Sequence, residues 1–245
     1  MPPFKALHGQ VAYGIPVGLL MLDCRIPFVP GDVGNASSYD YPVLFETVRG
    51  ASVDAVVNRG DDSIEAEVIR AAEHLVGQGV RAISSDCGYL GRYQAILAER
   101  LPVPVFVSSL LQVPLIRQMI GPNRELGILC ASSDGVNSSL LESVGIAGFD
   151  GLVFRGLKDK THFNEVMFQE IADLDQQRME DEVVEVALEI RDENPNMGAY
   201  LLECSDLPPY GHAIQAATGL PVFDWIGFID YVHHAVVRRP YVGDF

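Results

Sequence analysis

The sequence is short of positive charge, of paired cysteines and of long apolar runs, and each shortage closes off a class of function. Only 17 Lys and Arg residues stand against 33 Asp and Glu, for a net charge of −16. Binding nucleic acid requires a basic face to neutralise phosphates, so no nucleic acid is expected as a partner, and an anionic membrane surface is excluded on the same ground. Arg178, Arg191, Arg238 and Arg239 are too scattered to build a local basic patch. No apolar run approaches the roughly 20 residues of a membrane helix. The start, MPPFKALHGQ, lacks the basic-then-apolar pattern of a signal peptide, so a cytoplasmic location is expected. The four cysteines, Cys24, Cys87, Cys130 and Cys204, lie far apart with no CxxC pair. That spacing suits neither a structural metal nor a disulfide framework. Neither a GxGxxG nor a P-loop run occurs, so neither a nicotinamide nor a nucleotide is indicated, and no cofactor is expected.

What remains is a soluble α/β pattern. Short apolar, β-branched runs alternate with helical periodicity, the pattern of a mostly parallel sheet flanked by helices. Strands are expected at Ile15–Asp23, Val80–Ser85, Val103–Ser108, Leu126–Ala131, Gly151–Arg155, Ala199–Cys204 and Leu220–Phe223. Helices are expected at Ser63–Val76, Leu90–Arg100, Leu110–Ile120, Ala172–Arg191 and Trp225–Val237. The carboxylates of Ala172–Arg191 read as the solvated face of an amphipathic helix. Between Cys24 and Pro42 the alternation stops, and Pro27, Pro30, Gly31, Gly34 and Pro42 mark a long loop. Such loops are uncommon unless they carry function, and this one is expected at the carboxyl edge of the sheet, where open α/β folds bind ligands.

An internal repeat carries the strongest signal. Cys87 and Cys204 are each preceded by an acid, Asp86 and Glu203, and followed three residues later by Leu90 and Leu207. Each lies 17 residues before a Pro-Val-Phe run, at Pro104 and at Pro221, and five residues after an alanine, Ala82 and Ala199. The repeat predicts two halves of like construction, residues 1–120 with 225–245 carrying Cys87 and residues 121–224 carrying Cys204. The second boundary rests on the turn chemistry of Gly121-Pro122-Asn123. Two such Rossmann-like, pseudo-symmetric domains would bring the cysteines together in the cleft between them.

A thiol at the end of an apolar strand, just before a helix, meets unpaired amides and the positive end of the helix dipole. Both lower its pKa and make it a base, against the opposing charge of Glu203 and Asp206. The amides of Gly88, Tyr89, Ser205 and Asp206 could hold a substrate carboxylate without any arginine, and Gly88 allows close backbone approach. Two opposed thiols around a carbon acid can remove a proton from one face and return one to the other. Alternatively, the carbanion can expel a leaving group from the β-carbon.

On these motifs the chain resembles the aspartate/glutamate racemase superfamily, which also holds hydantoin racemases, maleate isomerases and arylmalonate decarboxylases. The resemblance covers most of the chain. It is carried by Leu22-Asp23, Phe28-Val-Pro-Gly-Asp32-Val-Gly-Asn35, Ser84-Ser-Asp-Cys-Gly-Tyr89, Val107-Ser-Ser-Leu-Leu-Gln-Val-Pro114, Gly127-Ile-Leu-Cys-Ala131, Leu202-Glu-Cys-Ser-Asp-Leu-Pro-Pro-Tyr210 and Thr218-Gly-Leu-Pro-Val-Phe-Asp224. It implies that Cys87 and Cys204 are a paired acid and base, and that the protein forms a homo-oligomer. Glutamate racemases follow their cysteines with Asn-Thr and Thr-His, whereas here Gly88-Tyr89 and Ser205-Asp206 follow. The runs Asp86-Cys87-Gly88, Glu203-Cys204 and Leu207-Pro-Pro-Tyr210 also look like the algal dimethylsulfoniopropionate lyases of the same superfamily. The expected activity is therefore a cofactor-independent racemase or isomerase acting alpha to the carboxylate of a small acid. A β-eliminating lyase is the alternative, and a non-catalytic carboxylate-binding protein a third reading.

Asp23 and Asp32 could orient the substrate, with turn formation as the plainer role for Asp32. Ser108, Ser109 and Gln112 could hydrogen-bond it, with helix capping the simpler role, more so for Ser109 than for Ser108. Cys130 reads as core, Cys24 carries no assigned chemistry, and His212 and the pair His233-His234 read as solvated surface.

Overall fold

The computed structural model describes residue 6 and residues 8–243; the outermost residues of the first expected domain, 1–5, 7 and 244–245, lie outside the described residues. Every strand pairing is parallel, and the strands form two sheets. In the first sheet β1 (Val17–Met21) lies between β2 (Val43–Thr47) and β3 (Ala82–Ser85). In the second, β4 (Glu125–Cys130) lies between β5 (Leu152–Gly156) and β6 (Met197–Leu202), and β7 (Val222–Phe223) extends the edge beyond β6. Helices α1 (Glu65–Gly77), α2 (Gln94–Arg100) and α3 (Val113–Ile120) follow the strands of the first half. Helices α4 (Ser138–Ser143), α5 (Thr161–Met167), α6 (Gln176–Glu193) and α7 (Gly211–Thr218) belong to the second, and α8 (Trp225–Val236) ends the chain's regular structure. No helix among the described residues is long and apolar enough to cross a membrane.

Alternation along β1 explains the layering of the first sheet. Val17, Leu19 and Met21 point to one face, where they pack with Trp225 and Ile229 of α8. Leu20 points to the other face, into the larger core with Val68, Ala71, Ala72 and Leu75 of α1, spaced three and four residues apart on one stripe. Fully burying each such aliphatic side chain is worth about 1.5–3 kcal/mol, so both helix layers are held firmly on a strand of only five residues.

The repeat read from the sequence is a repeat in space. Val105 bridges Ile83 and Val222 pairs with Tyr200, each strand residue lying four positions before its cysteine. An α-helix begins seven residues after each cysteine, α2 at Gln94 and α7 at Gly211. The segment expected as a strand at Val103–Ser108 is reduced to that single bridge, flanked by the bonds Ile83 N to Pro104 O and Phe106 N to Ile83 O. β2, α4 and α5 are not expected from the sequence, whereas α7 is the helix that the repeat places between Cys204 and Pro221. The acidic helix starts at Gln176 rather than at residue 172, because Asp175 caps it by accepting from the amides of Gln177 and Arg178. Ile171 and Leu174 therefore lie outside it.

Candidate active site

Each cysteine sits where its strand has ended and the chain turns. Cys87 is extended (φ −151°) and precedes a tight 3-10 turn over residues 88–93. Cys204 follows β6 and precedes another such turn at Pro208–Tyr210. The two sulfur-bearing loops are tied directly together, for the Ser205 hydroxyl donates to the backbone carbonyl of Asp86. Both cysteines line one cavity of about 40 Å³, with Ile26, Val57, Tyr89, Met167, Phe168 and Glu203 among its walls. That volume holds a few waters at most. Met167 and Phe168 lie just before Glu170 (φ 53°) and Ala172 (φ 58°), the described non-glycine residues in the left-handed region.

The electrostatics differ from the expectation of helix-activated thiolates. A 3-10 turn separates each cysteine from its α-helix, so little of the helix dipole reaches the sulfurs. Burial pushes both thiols well above their ordinary pKa. At Cys87 the charges of Glu203 and Asp86 add to this, and at Cys204 those of Asp206 and Glu203. Only the backbone amides of Tyr89, at Cys87, and of Asp206, at Cys204, act the other way. Those two amides favour the thiolates, but burial outweighs them.

Four buried carboxyls surround the thiols, and no Lys, Arg or His among the described residues lines the cavity. Asp86 receives the amide of Leu22 on both oxygens, at 3.0 Å each, yet burial raises its pKa to about 8. Asp206 accepts from the Cys204 thiol at 3.4 Å and shares a carboxyl–carboxyl hydrogen bond with Asp32, while the Ser205 hydroxyl, already given to the Asp86 carbonyl, lies 3.4 Å from the same oxygen as the thiol. Asp32 accepts the Gly34 amide at 2.8 Å in a turn of its own, and burial followed by the charge of Asp206 pushes it well up. Glu203 is wholly buried with both oxygens unpartnered, and burial alone raises it to about 8.

Of the residues expected at the site, the cavity thus gathers Cys87, Cys204, Gly88, Tyr89, Ser205 and Asp206, with Asp32 buried beside Asp206. The long loop reaches the site as expected: the Val33 amide donates to the Ser205 carbonyl, and a Cβ on Gly31 would meet Pro209 at 3.2 Å. Other expected residues stand elsewhere. Asp23 is exposed, with its amide on the Ala51 carbonyl. Gln112 donates to the Asp224 carbonyl at 3.1 Å, away from the cavity. Ser108 is the cap, accepting from the Leu110 amide, whereas Ser109 donates to the Glu203 carbonyl, the reverse of the expected division. His233 is buried rather than solvated, stacked on Tyr41 at 3.5 Å between ring centres. It falls on the stripe of Trp225 and Ile229, a four-residue spacing that the sequence already displayed. Sequence reasoning read Glu203 only as an opponent of the thiolates. Its place at the repeat position of Asp86 was the available signal.

No family model matches the chain. The chain shares the fold of the allantoin racemase from Pseudomonas fluorescens, with a TM-score of 0.64 at 16% identity over 91% of each chain. An aspartate racemase homologue from Pyrococcus horikoshii OT3 superposes at 0.56 and 14% identity, over 89% of this chain and 98% of that one. By sequence, it is 30% identical over 233 residues to the dimethylsulfoniopropionate lyase of Durusdinium sp. clade D, covering 93% of this chain and 77% of the relative. Dimethylsulfoniopropionate lyase 5 of Emiliania huxleyi (strain CCMP1516) is 29% identical over 236 residues, but this chain spans only 46% of that relative's length. The chain belongs to the family of the dimethylsulfoniopropionate lyases, on the fold it shares with the allantoin racemase and the aspartate racemase homologue.

Proposed function

We propose that the protein is a cofactor-independent enzyme whose cysteines move a proton at the carbon alpha to a carboxylate. We further propose that its reaction is β-elimination from a small carboxylate with a cationic leaving group, dimethylsulfoniopropionate or a close analogue. The observation that carries this is a cavity with two thiols and several buried carboxyls, without a basic side chain in its lining. A dianionic substrate would be repelled there. A substrate carrying a positive sulfonium offsets the buried acids and, by its own charge, favours the thiolate that burial disfavours. Tyr89 and Phe168 present aromatic walls suited to an onium group. In the step itself a cysteine thiolate takes the α-proton, the electron pair forms the α–β double bond, and the carbon–sulfur pair leaves on dimethyl sulfide. Acrylate is the other product, and the proton passes from the thiol to solvent. The relatives' names support this order, which places elimination ahead of the racemisation expected from the sequence. Racemisation of a small ammonium-bearing acid is the second reading, favoured by the two sulfurs lining a single cavity.

Proton NMR in D₂O decides between them. With dimethylsulfoniopropionate, elimination yields vinylic signals and free dimethyl sulfide, and general acid–base loss in one of the variants Cys87→Ser or Cys204→Ser costs about 10²–10⁴-fold, the other far less. Racemisation instead gives α-deuterated amino acid, and both substitutions are equally damaging. Near-normal turnover in both variants would refute cysteine chemistry altogether.

A further inference from the structure

The strand β6 ends in Leu202, and the next side chain, Glu203, turns into the cavity with no hydrogen-bond partner on either oxygen. Glycine at position 88 makes room for it: a Cβ there would stand 1.9 Å from Glu203 Oε1 and 2.7 Å from its Cδ. The carboxyl of one half is thus pressed onto the backbone that immediately follows the cysteine of the other. An unpartnered buried carboxyl is costly as an anion and tolerable as a neutral acid. As the acid it carries one O–H donor, and nothing among the described residues accepts it.

A carboxylate substrate in this cavity needs donors, and the side-chain hydroxyls are already given elsewhere. The Tyr89 hydroxyl is given to the Ser132 carbonyl and the Ser205 hydroxyl to the Asp86 carbonyl. The amides of Tyr89 and Asp206 lie by the sulfurs and favour their thiolates, and among the described residues no basic side chain lines the walls. We infer that Glu203, as a neutral acid, is a catalytic residue that donates a hydrogen bond to the substrate carboxylate and to the enediolate formed when the α-proton leaves. The inference rests on the proposed carbon-acid chemistry and names the group that holds its acidic end. Negative charge grows on the carboxylate oxygens as the C–H bond breaks, so a donor fixed there in a water-poor cavity favours the transition state over the ground state.

The titratable groups facing Glu203 are Asp86 and Cys87 after β3, Tyr89 in the turn, Cys130 at the end of β4, and Cys204 and Asp206 after β6. All are acids, and ionisation of any of them holds Glu203 more firmly in its neutral form. Donation is lost once Glu203 itself ionises, so the rise of wild-type kcat/KM with thiolate formation levels off as pH passes about 8.

The test is steady-state elimination by the intact protein, with dimethylsulfoniopropionate as the probe, from pH 6 to 10, for wild type, Glu203→Gln, Glu203→Leu and Cys87→Ser. Glutamine keeps an N–H donor of the same reach and cannot ionise. Glu203→Gln is therefore expected within about tenfold of wild type at neutral pH, with kcat/KM that goes on rising past pH 8 instead of levelling off. Leucine fills the space without a donor, and its kcat is expected to drop about 10²–10³-fold, the scale of removing one oxyanion donor. A fully active Glu203→Leu, a Glu203→Gln as dead as a cysteine variant, or a levelling-off near pH 8 unchanged in Glu203→Gln would each overturn the inference while leaving the cysteine reading intact. A wild type that neither eliminates nor exchanges an α-proton in D₂O would overturn both.

Discussion

Replacing Glu203 by glutamine tests the buried acid through folding, without any substrate. In the folded protein burial raises this carboxyl from 4.5 to about 8. Below about pH 4.5 it is protonated in both folded and unfolded chains and pH has no leverage. As pH rises from there, the unfolded chain releases the proton while the folded chain keeps it, so stability falls until the folded group ionises near pH 8. At about 1.4 kcal/mol per pH unit, the full window is a ceiling on the order of 5 kcal/mol. Water entering the cavity around the charged group would lower the measured figure to about 2–4 kcal/mol. Glutamine, of equal size and uncharged, removes this group's share. Asp86, raised to about 8 for the same reason, still titrates in the variant and cancels from the difference. Urea unfolding followed by circular dichroism at pH 5 and pH 9 gives the comparison. The two proteins should agree within about 1 kcal/mol at pH 5, and the variant should be the more stable at pH 9 by about 2 kcal/mol or more, a midpoint shift on the order of 1 M. Parallel stability curves from pH 5 to 9 would show that Glu203 is not held neutral, and the reasoning would fail.

Gly88→Ala places a Cβ 1.9 Å from Glu203 Oε1, so it should destabilise by about 1–3 kcal/mol and slow turnover at least tenfold. In a double-mutant cycle, Glu203→Ala should relieve most of that loss; simple additivity in thermal unfolding would contradict the contact. Trp225→Phe removes the buried indole bond to the Glu203 carbonyl (2.6 Å), leaving only the longer Ser109 contact. A cost of about 1–3 kcal/mol in denaturant unfolding is expected, and an unchanged midpoint would count against that bond.

Much of the fold could be read because the repeat is local: acid, cysteine, leucine and Pro-Val-Phe lie within one strand–turn–helix unit, and the parallel register follows from them. β2 escaped because Val43–Thr47 is only half-buried on both faces, which leaves neither a clean alternation nor a solid apolar run. The state of the thiols escaped for another reason. Burial depends on how the two halves close on each other, and no window of sequence contains both Gly88 and Glu203.

That same closure breaks the symmetry the repeat suggests. Asp86 and Glu203 occupy equivalent positions, yet Asp86 is turned onto the Leu22 amide while Glu203, one methylene longer, reaches into the cavity with no partner. Cys204 has a carboxylate acceptor in Asp206 at 3.4 Å, whereas the position two residues beyond Cys87 is Tyr89, whose hydroxyl is committed to Ser132. A racemase working in both directions needs two faces of comparable acid–base strength, because each sulfur must serve as base for one enantiomer. An elimination needs one base, a held carboxylate and a place for the leaving group. Two similar strand–cysteine units that differ in what surrounds each sulfur favour the one-sided reaction, and they make unequal losses in Cys87→Ser and Cys204→Ser the expected result.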